Sequence, residues 1–229
     1  MREKQIRVLI ADDQAVIRGA THCFYNSGQS CNAPTRMLVE RSVYDRAVEA
    51  AAKVATDTAV ATAHQPGPHI GPVVSKQQWD KIQGLIQQGI DEGARLVAGG
   101  TALPEGVNRG YYVRPTVFAD VSNDMIVAQQ EIFGPVLSII PFDTEEEAVE
   151  IANDTPYGLT NYVQTQDGQR RNRLARQLQA GMVEMNGVSR GSGSAFGGVK
   201  MSGRAREGGL SGLEEFMDSK AVSGWDRTA

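Results

Sequence analysis

The sequence predicts an α/β fold with three layers, in which helices cover both faces of a mostly parallel β-sheet. Segments with helical spacing of apolar residues alternate with short apolar runs along most of the chain. One such run, Val136 to Ile140, is apolar except for Ser138, which suits a strand buried on both faces. Because alternating strands and helices build parallel sheets, we expect one compact α/β unit.

From Met37 to Ala98 the chain is expected to hold two strands and two helices. Met37 to Glu40 is a strand candidate, and apolar residues at helical spacing follow it from Val43 to Ala55. A second helix is predicted from Trp79 to Ile90, ended by Gly93 in a left-handed cap. Arg95 to Ala98 is then expected to form a strand.

The second half continues the alternation. Two segments are expected to be extended, Gly110 to Val121 and Glu131 to Phe142. Thr144 with Glu147 three residues later is a capping box that starts a helix. Asp167 caps a further helix, after which Met182 to Asn186 is expected to return as a strand.

Composition excludes several function classes. The net charge is -4 with 22% charged residues, so no basic field is present that would attract nucleic acid. No apolar run approaches the roughly 18 residues needed to cross a membrane, and the start of the chain lacks the apolar core of a signal peptide. We therefore expect a cytoplasmic protein with no membrane partner. The cysteines Cys23 and Cys31 and the three histidines have no zinc-site spacing, so no metal is expected.

Cys31 lies in a small polar segment, Asn26 to Pro34, between an apolar helical stretch and a strand candidate. Such loops are where sheet folds expose reactive groups, and nearby amides can stabilise a thiolate and an oxyanion. A lone cysteine in a protein of this size is nevertheless usually a small apolar filler. The filler interpretation is stronger for Cys23, which sits in the apolar run Ala20 to Phe24.

Four motifs in order resemble the NAD(P)-dependent aldehyde dehydrogenase family, and the resemblance runs from about Gly19 to Trp225. The motifs are the cysteine segment Phe24 to Cys31, Glu131 to Val136, Asn153 to Leu159, and Phe196 to Gly203. The resemblance implies the αβα catalytic-domain fold of that family, an aldehyde substrate, and NAD or NADP as cofactor.

The resemblance also implies roles for particular residues. Cys31 would attack the aldehyde as a thiolate, and its backbone amide would be one oxyanion donor. Glu131 would accept hydrogen bonds from the nicotinamide-side ribose, and Phe133 would pack near the nicotinamide. Phe196 would line the substrate mouth. The plain alternatives are a charge that leads into a strand for Glu131, and packing for the two aromatic residues.

Family members are much longer, and the additional portion precedes the cysteine. It carries the dinucleotide-binding sheet, an oxyanion-hole asparagine and a general-base glutamate, and no phosphate-binding glycine loop is found in this sequence. We therefore expect weak cofactor binding and impaired activity of the chain alone. The expected divisions are an N-terminal strand and turn (1–18), a thiol-bearing catalytic domain (19–203), and a C-terminal helix and oligomerisation strand (204–229). The strand Lys220 to Gly224 would build a homo-oligomer.

Two other hypotheses remain open. The chain could be a non-catalytic folded remnant or oligomerisation fragment. Alternatively, Ile6 to Gln14 resembles the opening strand and acidic pair of a response-regulator receiver domain, with Asp12 and Asp13 as the acidic pair, and could be a fusion scar. A receiver also needs a phosphoaccepting aspartate at a strand end, whereas Asp57 falls in an alanine-rich helical run. The favoured interpretation of residues 1–18 is a strand and acidic turn that lead into an Arg18 to Tyr25 helix.

Overall fold

The computed structural model of the protein describes residues 13–62 and 64–226. Within them, the chain forms seven helices and six strands, apart from short 3-10 turns. The helices are α1 (Asp13–Phe24), α2 (Tyr44–Asp57), α3 (Lys76–Asp91), α4 (Ile126–Gln129), α5 (Glu145–Asn153), α6 (Gly168–Gln177) and α7 (Gly209–Glu214). The strands are β1 (Arg36–Glu40), β2 (Arg95–Ala98), β3 (Thr116–Ala119), β4 (Val136–Phe142), β5 (Thr160–Val163) and β6 (Met182–Met185).

The strands form two sheets. The larger has the order β1-β4-β3-β2, in which β1 and β3 run parallel to β4 and the edge strand β2 is antiparallel to β3. The smaller sheet is the parallel pair β5-β6. The predicted mostly parallel arrangement is therefore confirmed, but it is divided between two sheets, and β5 had not been predicted as a strand.

Strand β4 separates two hydrophobic cores. Val136 and Ile140 pack with Ile82 of α3 on one face of the sheet. Leu137 and Ile139 pack with α1 and α2 on the other face. Because successive side chains of a strand point to opposite faces, this alternation gives the three-layer arrangement that the sequence predicts.

Side-chain caps fix where several helices begin. Thr144 accepts a hydrogen bond from the backbone N–H of Glu147 at 3.1 Å, which confirms the predicted start of α5. Asp167 accepts from two amides in the first turn of α6, at 2.8 and 3.2 Å. These bonds satisfy amides that otherwise lack partners at a helix start. The predicted left-handed end of α3 is also confirmed, since Gly93 has φ of 94°.

The first helix starts earlier than the Arg18 expected from the sequence. Helix α1 begins at Asp13, so residues 13–18 are helical rather than a turn. Val16, Ala20 and Cys23 recur at helical spacing and are buried against α2, which explains the earlier start. The proposed strand from Ile6 and the residue Asp12 lie outside the described residues, as does the side chain of Asp13.

Asp57 lies at the exposed end of α2 rather than at a strand end. Its carboxylate pairs with Lys53 one helical turn earlier, with Nζ and Oδ2 2.8 Å apart. The position gives no support to a receiver-type phosphorylation site.

The C-terminal segment contains the predicted helix, α7, but not the predicted strand. Residues 220–224 make no strand pairing with any other part of the described chain. A strand needs a neighbour to satisfy its backbone, and none of the described strands is next to this segment. In residues 13–62 and 64–226, no helix is both long and apolar enough to cross a membrane.

Candidate active site

Cys31 lies at an exposed turn that follows α1 and a short 3-10 segment. Before it, Asn26, Ser27 and Gly28 have φ values of 52°, 57° and 70°, which reverse the chain at the end of the helix. The turn itself is closed by a hydrogen bond from the Ala33 N–H to the Ser30 carbonyl at 3.0 Å. Cys31 is therefore exposed in a hydrogen-bonded turn, as its polar surroundings predict.

One cavity of about 560 Å³ is lined by Cys31, Glu131 and Phe133 together. Cys31 is 100 positions from Glu131 and 102 from Phe133 in the chain, and the family resemblance assigned all three to one site. The cavity also has apolar walls, including Leu159 and Leu178. A cleft with apolar walls and a few polar groups is the usual form of a small-molecule site.

Glycine brings the two segments of this cavity together. Gly28 has a left-handed backbone, and a Cβ built on it would lie 2.0 Å from the carbonyl oxygen of Gly134. Gly134 is itself pressed against α3, where its Cβ would lie 2.6 Å from Cδ1 of Ile82. Only a residue without a side chain permits this approach at either position. The cysteine turn and the segment after Glu131 are thus in direct backbone contact.

The segment of Glu131 and Phe133 is held by α3. The amide of Gln78 donates to the carbonyls of Ile132 and Phe133 at 2.9 and 3.0 Å. Lys81 donates to the carbonyl of Glu131 at 2.6 Å. Phe133 has φ of 55°, so it is not part of the extended segment predicted from Glu131, and β4 begins at Val136. A bulky residue in this region is strained and is maintained only where its surroundings fix it.

The two cysteines have opposite environments. Cys23 is fully buried in the core between α1 and the sheet, and its Sγ lies 3.4 Å from the carbonyl oxygen of Val136. Burial raises the pKa of the Cys23 thiol well above its usual range. The thiolate is the nucleophilic form, so Cys23 is an inert filler, as the sequence predicts. Cys31 is exposed at the cavity.

Phe196 is not among the described residues that line this cavity. Its backbone pairs with Glu207 through two hydrogen bonds of 2.7 Å, and its ring lies 4.9 Å from the Arg190 guanidinium carbon. These contacts hold Phe196 in the loop after β6. The predicted role at the substrate mouth is not supported by the cavity seen in this chain.

The sequence did not predict several other residues at the cavity. Tyr162 of β5 and Glu184 of β6 are partners in the strand register and both line the cavity. His22 at the end of α1 lines it too, with its ring 5.6 Å from that of Tyr162 and nearly perpendicular to it. Apolar and polar residues do not alternate regularly in β5, which left Tyr162 without a signal. In the part of the chain that the structure describes, no three acidic, histidine or cysteine side chains group as metal ligands would.

Comparison with known proteins identifies the family. The family model described as "Aldehyde dehydrogenase family" matches residues 8–222. The 3-succinoylsemialdehyde-pyridine dehydrogenase of a Pseudomonas species is 41% identical over 226 residues, which cover 97% of this chain and 47% of that protein.

Solved structures agree with the sequence match. An aldehyde dehydrogenase from Bartonella henselae is 65% identical with a TM-score of 0.90, over 94% of this chain and 45% of that one. A mutant of aldehyde dehydrogenase C from Pseudomonas syringae, complexed with NAD+ and octanal, is 41% identical with a TM-score of 0.91, over 98% and 47%. The chain therefore spans a little under half the length of these relatives. With this family match over nearly all of its length, the chain belongs to the aldehyde dehydrogenase family.

Proposed function

We propose that this chain provides the nucleophilic half of an enzyme that oxidises an aldehyde to a carboxylic acid, with Cys31 as the nucleophile. The observation that carries the proposal is the cavity shared by the exposed Cys31 and by Glu131 and Phe133. Of the two cysteines, only Cys31 is accessible to a carbonyl compound, since Cys23 is fully buried.

The proposed chemistry begins with addition of the Cys31 thiolate to the aldehyde carbon. A carbon–sulfur bond forms and the carbonyl oxygen becomes an oxyanion, for which the Cys31 backbone N–H is a donor. Among the described residues, no hydrogen bond uses that N–H, so it is available. After loss of hydride the carbon is a thioester, and water cleaves the carbon–sulfur bond to release the acid and the thiol.

NAD or NADP is the proposed cofactor, and it would supply the hydride acceptor for the oxidation. Glu131 and Phe133 fit its nicotinamide-ribose end. The Glu131 side chain is exposed at the cavity with carboxylate oxygens that can accept from two hydroxyls, and Phe133 offers an apolar ring. Because the chain matches under half of its relatives, we expect the remaining contacts from outside these residues and weak cofactor binding by the chain alone.

We also propose that residues 220–224 pair as a strand with a second subunit to form a homo-oligomer. The segment follows α7 in the chain and is exposed, including the apolar Val222. An exposed apolar segment without a strand neighbour favours association. A cytoplasmic compartment stays a prediction, and the two free thiols are consistent with it.

A folded, non-catalytic role is the second candidate, because the chain spans only 45% to 47% of its relatives. It differs from the enzyme proposal in what it expects of Cys31. A remnant needs no reactive thiol, whereas the enzyme proposal needs Cys31 to carry an acyl group.

The test is aldehyde-dependent formation of NADH or NADPH by the purified chain, alone and after addition of a separately expressed cofactor-binding half, with NAD and NADP each supplied in turn. Octanal is a suitable first aldehyde, because the similar Pseudomonas syringae protein was solved with it. We expect Cys31→Ala to abolish turnover and Cys23→Ala to retain it. If Cys31→Ala is as active as the unaltered chain, or if the reconstituted pair forms neither NADH nor NADPH, the proposal is wrong.

A further inference from the structure

Tyr162 connects the smaller sheet to the turn that carries Cys31. Its hydroxyl donates a hydrogen bond to the backbone carbonyl of Asn32, with the oxygens 2.7 Å apart and the residues 130 positions apart in sequence. Asn32 directly follows Cys31. The contact therefore acts on the peptide group between Asn32 and Ala33, one residue beyond the proposed nucleophile.

The turn is anchored differently on its two sides. Before Cys31, the Ser27 hydroxyl donates to the Gly71 carbonyl at 2.7 Å, and Gln29 accepts from the Val74 N–H at 2.8 Å. For residues 30–34, the Tyr162 bond is the one side-chain hydrogen bond that the described chain provides. Loss of the Tyr162 hydroxyl would leave residues 30–34 without a side-chain hydrogen bond from the described part of the chain.

The Tyr162 ring is packed in place, and its hydroxyl remains a hydrogen-bond donor. Its ring is half-buried and makes an edge contact with the His22 ring, at 5.6 Å between centroids. Burial, with a further contribution from the charge of Glu184, raises the pKa of Tyr162 to about 12. The hydroxyl therefore keeps its proton at neutral pH. Since a hydroxyl–carbonyl bond is separable from ring packing, replacement by phenylalanine removes one interaction and keeps the other.

We propose that Tyr162 is a positioning residue for Cys31, whose bond to the Asn32 carbonyl fixes the turn so that the Cys31 N–H meets the oxyanion formed at the thiol. This inference rests on the proposed function and goes beyond it, by assigning a role to β5. A free turn would leave the sulfur present but misalign the donor. Misplacement by about 1 Å can cost on the order of 100-fold in such a step.

Two reagents separate position from reactivity. p-Nitrophenyl acetate transfers its acetyl group to the thiolate: the carbon–sulfur bond forms through an oxyanion, and p-nitrophenolate leaves with the electron pair of the broken carbon–oxygen bond. Iodoacetamide alkylates the same sulfur by displacing iodide, without an oxyanion. The ratio of acetylation rate to alkylation rate at Cys31 thus reports alignment of the oxyanion donor, independently of exposure and thiolate fraction.

The experiment measures both rates at Cys31 by peptide mass spectrometry in the unaltered chain, in Tyr162→Phe, and in the control Tyr25→Phe. Tyr25 is 71% exposed, so its variant matches the chemical change away from the turn. We expect the ratio to fall about ten-fold in Tyr162→Phe and to be unchanged in Tyr25→Phe. An unchanged ratio in Tyr162→Phe overturns the proposal, whether both rates fall together or neither changes.

Folding is monitored in the same samples through Cys23, which reacts only if the core opens. If Tyr162→Phe exposes Cys23, 4-fluorophenylalanine at position 162 replaces it as the deciding variant, because the fluorine fills the volume of the hydroxyl but cannot donate a hydrogen bond. A lowered ratio in this variant supports the proposal and an unchanged one overturns it. If Cys31 of the unaltered chain is not acetylated, the proposed function fails as well, whereas an unchanged ratio with normal acetylation overturns only the role of Tyr162.

Discussion

Gly28 and Gly134 are in backbone contact, so close that a Cβ on Gly28 would lie 2.0 Å from the Gly134 carbonyl oxygen. The contact joins the turn of Cys31 to the segment of Glu131 and Phe133. It is also what allows both segments to line the same cavity. The geometry of the proposed active site therefore depends on the absence of a side chain at position 28.

The first prediction concerns this contact. Gly28→Ala places an alanine in the left-handed backbone region and also brings its Cβ into the backbone of Gly134. Gly106→Ala causes only the left-handed strain, because Gly106 has φ of 75° and nothing lies within 4 Å of its Cβ position. We expect Gly106→Ala to lower the free energy of unfolding by about 1 kcal/mol and Gly28→Ala by at least about 2 kcal/mol more. Urea unfolding of the two variants checks the difference. Equal losses would show that the approach to Gly134 is not tight.

Gln78 is predicted to stabilise the segment of Phe133. Gln78→Ala leaves two carbonyls without their side-chain donor, so we expect a loss of about 1 to 3 kcal/mol and faster amide hydrogen exchange around Phe133. Gln77→Ala is the control, since Gln77 is the adjacent, exposed residue of α3. If both variants exchange at the rate of the unaltered chain, the two bonds do not hold the segment.

A buried ion pair is predicted to make stability sensitive to acid. Glu145 is buried and accepts from Arg173 at 2.9 Å and from Arg170 at 3.0 Å. The hydrogen bond from Arg173 is the largest cause that lowers the pKa of Glu145 below its usual value, and the bond from Arg170 adds to it. The free energy that Glu145 contributes to stability is therefore complete above about pH 4.3, the pKa of a glutamate in the unfolded chain. It is lost as the pH falls through the lower pKa that Glu145 has in the folded chain.

Substitution tests this contribution. Glu145→Gln is expected to cost about 3 kcal/mol at neutral pH, because it removes the buried carboxylate charge that pairs with the guanidinium groups of Arg170 and Arg173. The difference in unfolding free energy between Glu145→Gln and the unaltered chain should narrow below about pH 4. Glu146→Gln changes an exposed neighbour in the same helical turn and should cost less than about 0.5 kcal/mol. If the difference in unfolding free energy between Glu145→Gln and the unaltered chain stays constant across the acid range, Glu145 has the same pKa in the folded and unfolded chain.

The two thiols are predicted to label at different stages of unfolding. Under native conditions iodoacetamide should modify Cys31 and leave Cys23 unmodified, because Cys23 is buried with a raised pKa. In denaturant the two should react at similar rates. Peptide mass spectrometry over time measures both. Native labelling of Cys23 as fast as Cys31 would contradict the buried position of Cys23.

Much of the fold follows from local sequence signals. The buried run in β4 and the caps at Thr144 and Asp167 predicted their elements because each signal lies within a few residues of the structure it fixes. Strand β5 was not predicted, since it has only four residues and includes the polar Asn161. The division into two sheets was not predicted either, because pairing between distant strands has no local signal.

The site was predicted only where a motif marks it. Cys31, Glu131 and Phe133 were found by resemblance, and the cavity they share was then observed. Gln78 contacts the site through two hydrogen bonds, to residues 54 and 55 positions away, and Tyr162 through one, to a residue 130 positions away. Such bonds leave no pattern in the segments of Gln78 and Tyr162. Such contacts become visible only when the segments are folded together.

Acetylation of Cys31 by p-nitrophenyl acetate tests the central claim most directly. The rate at Cys31 in the folded chain is compared with the rate at the cysteine of a free peptide of residues 26–34, which has the same sequence without the cavity. We expect the folded chain to form the thioester at Cys31 at least about ten-fold faster than the peptide, with no acetyl group on Cys23. A rate at Cys31 equal to or below that of the peptide would contradict the claim.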